Sequence, residues 1–130
     1  MVGPITPFAT LGKTVTKFQG FERIAVDGSL SLITFTVDDV TSICPVTGQP
    51  DFETVQIKLN PNGFSVETKT LKLYLETFRD QGAFVEDLAA TIARNLAEVL
   101  QPRFIQVTVT QRVRGGIVTT AEALILGGTS

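Results

Sequence analysis

The sequence predicts an α+β protein, an antiparallel β-sheet with two helices on one face. Three observations carry this expectation. Apolar residues alternate with period two in the first half of the chain and again near its end. Residues 71–99, between them, switch to helical spacing. Two turn signatures, Asn60-Pro61-Asn62-Gly63 and Arg114-Gly115-Gly116, allow direct antiparallel return of the strands that flank them. Strands at both ends with a helix pair inserted are the mark of a sheet covered on one face only.

In chain order, residues 1–28 read as an N-terminal arm, and 29–130 as a single domain. The start of the arm is rich in Gly, Pro and Thr without a clear period, and Phe8, Leu11 and Phe18 are available to tack it down. Residues 29–37 alternate as a strand with one buried face. Asp38 to Pro50 reads as a loop. From Glu53 the alternation resumes, with Val55, Ile57 and Leu59 on one face; with the turn at 60–63 and the return at Phe64, 53–68 is expected to be a hairpin. Leu71, Leu75 and Phe78 make a first helix, stopped at Gly82. Leu88, Ile92, Leu96 and Val99 share a face of a second helix, whose first turn holds Glu86 and Asp87, where carboxylates suit the helix dipole. Gln101-Pro102 ends it. Ile105, Val107 and Val109 form a further strand, and 117–125 a last one. The two open edges of such a sheet are commonly closed by a second subunit.

Composition narrows the chemistry. The chain has 130 residues, 43% of them hydrophobic and 18% charged, enough for one domain with a core. Eleven basic against thirteen acidic residues give a net charge of −2, so no nucleic-acid footprint is expected. No apolar run is long enough for a membrane helix, and the first residues lack the charged and apolar regions of a signal peptide, so no membrane partner is expected. With no His, triads built on imidazole are excluded; with one Cys, so is a disulfide within the chain. No metal site is expected. A reducing, cytoplasmic location is.

A few residues could carry chemistry. Cys44 lies in a loop punctuated by Pro and Gly, off any apolar stripe, and is open to a reactive role or to that of a buried small hydrophobe. Asp51 follows seven positions on, where the loop can fold it back toward the thiol, as a nucleophile and proton-shuttle pair requires; a turn-capping role is the plainer alternative. Glu67 and Glu86 sit at element junctions. Either can accept two N–H bonds from a guanidine-like edge, and either can serve as a helix cap or dipole partner. Lys69 and Lys72, on one helical face, could receive a phosphate or be a solvated surface. No Walker or dinucleotide-binding Gly motif is present.

Taken together, these residues resemble a known family. Thr41-Ser42-Ile43-Cys44-Pro45-Val46-Thr47-Gly48-Gln49-Pro50-Asp51-Phe52 closely resembles the catalytic loop of QueF, the NADPH-dependent 7-cyano-7-deazaguanine (nitrile) reductase. Val66-Glu67-Thr68-Lys69-Thr70-Leu71-Lys72-Leu73-Tyr74 matches the family's Glu-Ser-Lys-Ser-Leu-Lys-type helix start, and Val113-Arg114-Gly115-Gly116-Ile117 its Pro-Arg-Gly-Gly-Ile tail. The resemblance spans roughly residues 30–118, in the single-module pattern. It implies a tunnelling fold (T-fold) assembled edge to edge into multimeric rings, with active sites between neighbours. It implies that Cys44 attacks the nitrile to form a thioimide, that Asp51 donates the proton, and that NADPH is the cofactor, in queuosine-type biosynthesis. Val66, Glu67 and Thr68 would line the base pocket, beside Val85, and Glu86 would grip the guanine-like edge. Thr68, Lys69, Lys72, Arg114 and Gly115 would face NADPH.

One segment departs from the pattern. The family carries a segment like Asn-His-Gly-x-Phe-His-Glu, where this chain reads Asp80-Gln81-Gly82-Ala83-Phe84-Val85-Glu86. Gln81 and Val85 stand in place of the two His, and Val85 donates neither a hydrogen bond nor a proton. The alternatives are therefore a QueF-like paralogue acting on another 7-substituted 7-deazaguanine, as decarboxylase of the 7-carboxy base or as amidinotransferase, and a 7-deazaguanine-binding module without turnover.

Overall fold

The computed structural model describes residues 17–127, with the backbone alone for 113 and 114. Its elements are β1 (Arg23–Ala25), β2 (Ile33–Ile43), β3 (Pro50–Asn60), β4 (Phe64–Val66), α1 (Thr68–Glu76), a 3-10 turn (Thr77–Asp80), α2 (Val85–Leu100), β5 (Phe104–Arg114) and β6 (Ile117–Leu126). The main sheet is antiparallel in the order β2-β3-β5-β6, and β1 and β4 form a separate two-stranded ribbon. The α+β class expected from the sequence is the one observed.

The alternation seen in the sequence becomes the inner face of the sheet. Val55, Ile57 and Leu59 of β3 and Ile105, Val107 and Val109 of β5 are completely buried, and pack with Leu88, Ile92, Leu96 and Val99 of α2. Burying a side chain of this size contributes roughly 1.5–3 kcal/mol. The outer face is mixed: Thr110 and Thr120 are hydroxyl neighbours across β5 and β6 and Thr108 faces Glu122, while Phe52, Leu124 and Leu126 are exposed there. Among the described residues no strand pairs with the outer edges of β2 or β6, and β2 is bridged there only at Ile43.

Four local features differ from the sequence reading, each for a physical reason. β2 starts at Ile33 and continues to Ile43, well into the segment expected to be a loop. The alternation breaks at Asp38-Asp39, and the register there shifts by a bulge, which returns Val40 and Ser42 to the inner face. The Arg112 guanidinium reaches over this bulge, donating to the Asp38 carbonyl (2.7 Å) and to Asp39 (3.4 Å). Second, the turn at 60–63 forms, with Gly63 at φ +91°, but the returning strand does not pair with β3. Both edges of β3 are already taken by β2 and β5, so β4 pairs with β1 instead. Third, α1 ends at Glu76 rather than at Gly82, and the chain continues as a 3-10 turn to Asp80; the Thr77 hydroxyl takes the Tyr74 carbonyl (2.6 Å) at that break. Fourth, part of the segment read as an arm is built into the fold. Phe21 is fully buried, and Phe18 and Phe21 meet Tyr74 edge-on or tilted at 5.5 and 4.7 Å between centroids. Phe8 and Leu11 lie outside the described residues.

α2 runs as read, with Glu86 and Asp87 in its first turn and Gln101 as a left-handed C-cap (φ +47°) ahead of Pro102. Gly115 and Gly116 both have positive φ, +59° and +82°, as a two-residue turn joining twisted strands requires. This turn and the β2–β3 connection lie at the same end of the sheet, because Arg114 is three residues beyond the Glu53–Gln111 pair.

Candidate active site

The extension of β2 leaves a connection of only six residues, Cys44–Gln49. Its two ends are tied: the Cys44 N–H donates to the Gln49 carbonyl (2.8 Å) and the Gly48 N–H to the Cys44 carbonyl (2.9 Å). Gly48 adopts φ +71° to close it, and Pro45 and Pro50 stiffen its flanks. Inside this loop the Cys44 thiol is half-buried. The Thr47 hydroxyl, together with the backbone N–H groups of Thr47 and Val46, holds the thiol below its ordinary value; the Asp51 carboxylate opposes this more weakly. Thr47 is itself fixed, since its hydroxyl oxygen accepts the Gln49 N–H (3.2 Å). The loop thus eases formation of the thiolate, the nucleophilic form of cysteine, relative to a free thiol.

Asp51 is buried on the inner face of β3, directly opposite Ser42 of β2. Its charge acts weakly on the Cys44 thiol. Two further residues join it. Glu53, two positions along on the same face, is 1% exposed. The Ser42 hydroxyl donates to its Oε2 (2.7 Å), while its Oε1 is buried without a hydrogen-bond partner. Burial pushes the Glu53 carboxyl up to about 7, against the lowering effect of Ser42 and with a smaller push from Asp51. The sequence carries a signal for this residue: the parity that buries Val55, Ile57 and Leu59, extended backward, also buries Glu53 and Asp51. A carboxyl on a buried parity is rarely fully buried unless it is paired.

The head of α2 is brought to the same place by the backbone. The Ile43 N–H donates to the Gln81 carbonyl (2.9 Å) and the Ala83 N–H to the Ile43 carbonyl (3.1 Å), forming a parallel bridge between Ile43 and Gly82. Val85 is buried there and Glu86 is exposed in the first turn. The turn holding Gly115 is at this end of the sheet, whereas the candidates around the start of α1 lie elsewhere. β3 carries the chain about 30 Å from the Cys44 loop before β4 and α1 begin. Val66 is fully buried. Glu67 is the N-cap of α1, its Oε2 accepting the Lys69 N–H (2.8 Å) and its Oε1 the Thr70 N–H (2.9 Å). The cap alternative therefore describes Glu67 within one chain. Thr68 and Lys72 are exposed and Lys69 is half-buried. Since Glu67 occupies the first helical N–H groups, an anionic cofactor would meet the lysine and threonine side chains here, a donor set that fits a phosphate. Gly115 is exposed in its turn; the Arg114 side chain lies outside the described residues. Among the described residues no group of three or more His, Cys, Asp or Glu could hold a metal ion, and no helix is long and apolar enough to cross a membrane.

A family profile described as "QueF-like protein" matches residues 50–125. Three proteins named NADPH-dependent 7-cyano-7-deazaguanine reductase are similar. That of Agrobacterium fabrum is 46% identical over 90 residues (69% of this chain, 58% of that protein). That of Frankia casuarinae is 45% identical over 105 residues (81% and 84%), and that of Nitrosococcus oceani 46% identical over 91 residues (70% of each). The match thus spans little more than half of the Agrobacterium protein. A crystal structure of the archaeosine synthase QueF-Like in the apo form superposes with a TM-score of 0.69 at 22% identity, over 77% of this chain and 97% of that one. The shared architecture is the α+β tunnelling fold.

Proposed function

This chain belongs to the QueF-like protein family, and we propose that it is an NADPH-dependent nitrile reductase, converting 7-cyano-7-deazaguanine to its 7-aminomethyl counterpart in queuosine-type biosynthesis. The observation that carries this reading is the tied loop that sets Cys44, its thiol lowered by Thr47, two residues beyond Ser42, which faces the buried Asp51. The names of the relatives support it.

In this reading the Cys44 thiolate attacks the nitrile carbon. A C–S bond forms, one C–N π pair moves to nitrogen, and nitrogen takes a proton from Asp51. The product is a thioimide, whose C=N bond is a better acceptor than the linear nitrile. NADPH, when bound, supplies hydride, two equivalents per nitrile. Each addition at carbon leaves charge on nitrogen, so Asp51 must deliver protons repeatedly, and Cys44 departs as thiolate. Lys69, Lys72 and Thr68 at the head of α1, with Arg114 and Gly115, are the groups that would hold the cofactor. Glu86 would accept the N–H groups of the guanine-like edge, with Val66, Glu67, Thr68 and Val85 around the base.

Those groups stand at both ends of one chain, so the site is completed by a neighbouring subunit. The open edges of β2 and β6, and the exposed Leu30, Leu32, Ile117 and Val118 next to them, support edge-to-edge assembly of copies. A thiol kept reduced for catalysis accords with a cytoplasmic enzyme.

The test is to mix the protein with 7-cyano-7-deazaguanine, record the intact mass, then add NADPH and follow its oxidation. An adduct on Cys44 and NADPH consumption are expected. An adduct without consumption favours the amidinotransferase reading. No adduct favours the decarboxylase or a binding module. Val85, buried and unable to hydrogen-bond, is the observation behind these alternatives.

A further inference from the structure

The mechanism above demands several protons per turnover from one aspartate, yet the cluster behind Asp51 contains a second carboxyl with no assigned part. Glu53 is enclosed, shares the inner face of β3 with Asp51, and has one oxygen on the Ser42 hydroxyl and the other without a partner. Ser42 is completely buried and sits directly across the ladder from Asp51. Its hydroxyl thus bonds one carboxyl, that of Glu53, while the residue itself faces the other across the ladder. A buried carboxylate oxygen without a donor is costly, and a carboxylic acid in the same place costs less.

We propose that Glu53 is a proton store behind Asp51 and that Ser42 is the relay between them, both acting as positioning residues for the acid beside Cys44. This rests on the nitrile-reductase reading for its use, though not for the store itself. When Asp51 has given up its proton, the Ser42 hydroxyl turns from Glu53 and passes its hydrogen to the Asp51 carboxylate as the Glu53 proton passes to the Ser42 oxygen. One O–H bond breaks and one forms at Ser42. Glu53 is left as the carboxylate and regains a proton from solvent. The placement of the Glu53 carboxyl near 7 agrees with such a store at neutral pH. Its surroundings add little other charge. Asp51 is the charged group acting on it, Gln111 is opposite on β5, Arg112 is turned to Asp38 and Asp39, and Arg79 and Asp80 of the 3-10 turn are exposed.

The experiment compares the wild type with Glu53→Gln, Ser42→Ala and Ser42→Thr in two measurements. Infrared spectra across pH 6–8 need no substrate. A protonated-carboxyl stretch that disappears near pH 7 and is missing from Glu53→Gln is expected; its absence from the wild type, or its persistence in Glu53→Gln, overturns the store. NADPH oxidation with the nitrile is then followed across the same pH range. Glu53→Gln and Ser42→Ala are expected to lose about tenfold or more in turnover while still forming the Cys44 adduct. Ser42→Thr, which restores the hydroxyl, is expected to recover it, and the limb of the pH profile near 7 should vanish in Glu53→Gln. Wild-type turnover in both Glu53→Gln and Ser42→Ala overturns the relay. If the wild type itself neither forms the adduct nor oxidises NADPH, the functional reading fails, and the infrared result alone upholds or overturns the store.

Discussion

Replacing Glu53 by Gln should make the protein more stable, and increasingly so as the pH rises. The carboxyl stands at about 7 in the folded chain against an ordinary 4.5. The folded state therefore holds this proton more tightly than the unfolded chain does. Stability from that proton is fully present below pH 4.5 and is lost as the pH rises through 7. A separation of roughly 2.5 pH units, at about 1.4 kcal/mol each, corresponds to about 3 kcal/mol lost by pH 8. Gln keeps the shape and an oxygen for the Ser42 hydroxyl but has no proton to lose. Denaturant unfolding followed by circular dichroism at pH 5, 6, 7 and 8 reads the difference directly. The Gln variant should gain on the wild type by about 2–3 kcal/mol from the lowest to the highest pH. Groups that titrate alike in both proteins cancel. A difference that stays constant across the series, or one that shrinks with rising pH, would show that Glu53 is already ionised in the fold and that burial does not govern its proton.

Other perturbations address the loop, the cap and the edges. Cys44→Ala is expected to abolish both adduct and turnover while base binding, measured by calorimetry, persists. Thr47→Val removes the hydroxyl that most favours the Cys44 thiolate, so iodoacetamide alkylation near neutral pH should slow several-fold, with its midpoint moved upward; an unchanged profile would contradict the assigned cause. Glu67→Ala leaves the Lys69 and Thr70 N–H groups without their acceptor and should cost about 1 kcal/mol in thermal or denaturant unfolding. Light scattering should find a multimer, and an active monomer would contradict a site shared between subunits.

Much of this protein was legible in its sequence, because burial imposes a period and a period is visible without coordinates. The inner faces of β3 and β5, the apolar stripe of α2, the turn glycines and the Cys44–Asp51 spacing all follow from residues near one another in the chain. What escaped was decided by competition between distant segments. β4 seeks β1 because β2 and β5 already occupy both edges of β3, and no local pattern records that occupancy. The bulge at Asp38-Asp39 hid the rest of β2, since a shifted register breaks the alternation while the strand goes on. Glu67 reads equally as ligand or cap until α1 places its N–H groups on both carboxylate oxygens. Glu53 was marked by its parity, but its chemistry was not: a carboxyl becomes a proton store only when a particular hydroxyl, a neighbouring charge and the exclusion of water are assembled around it, and those come from two strands and the core they face.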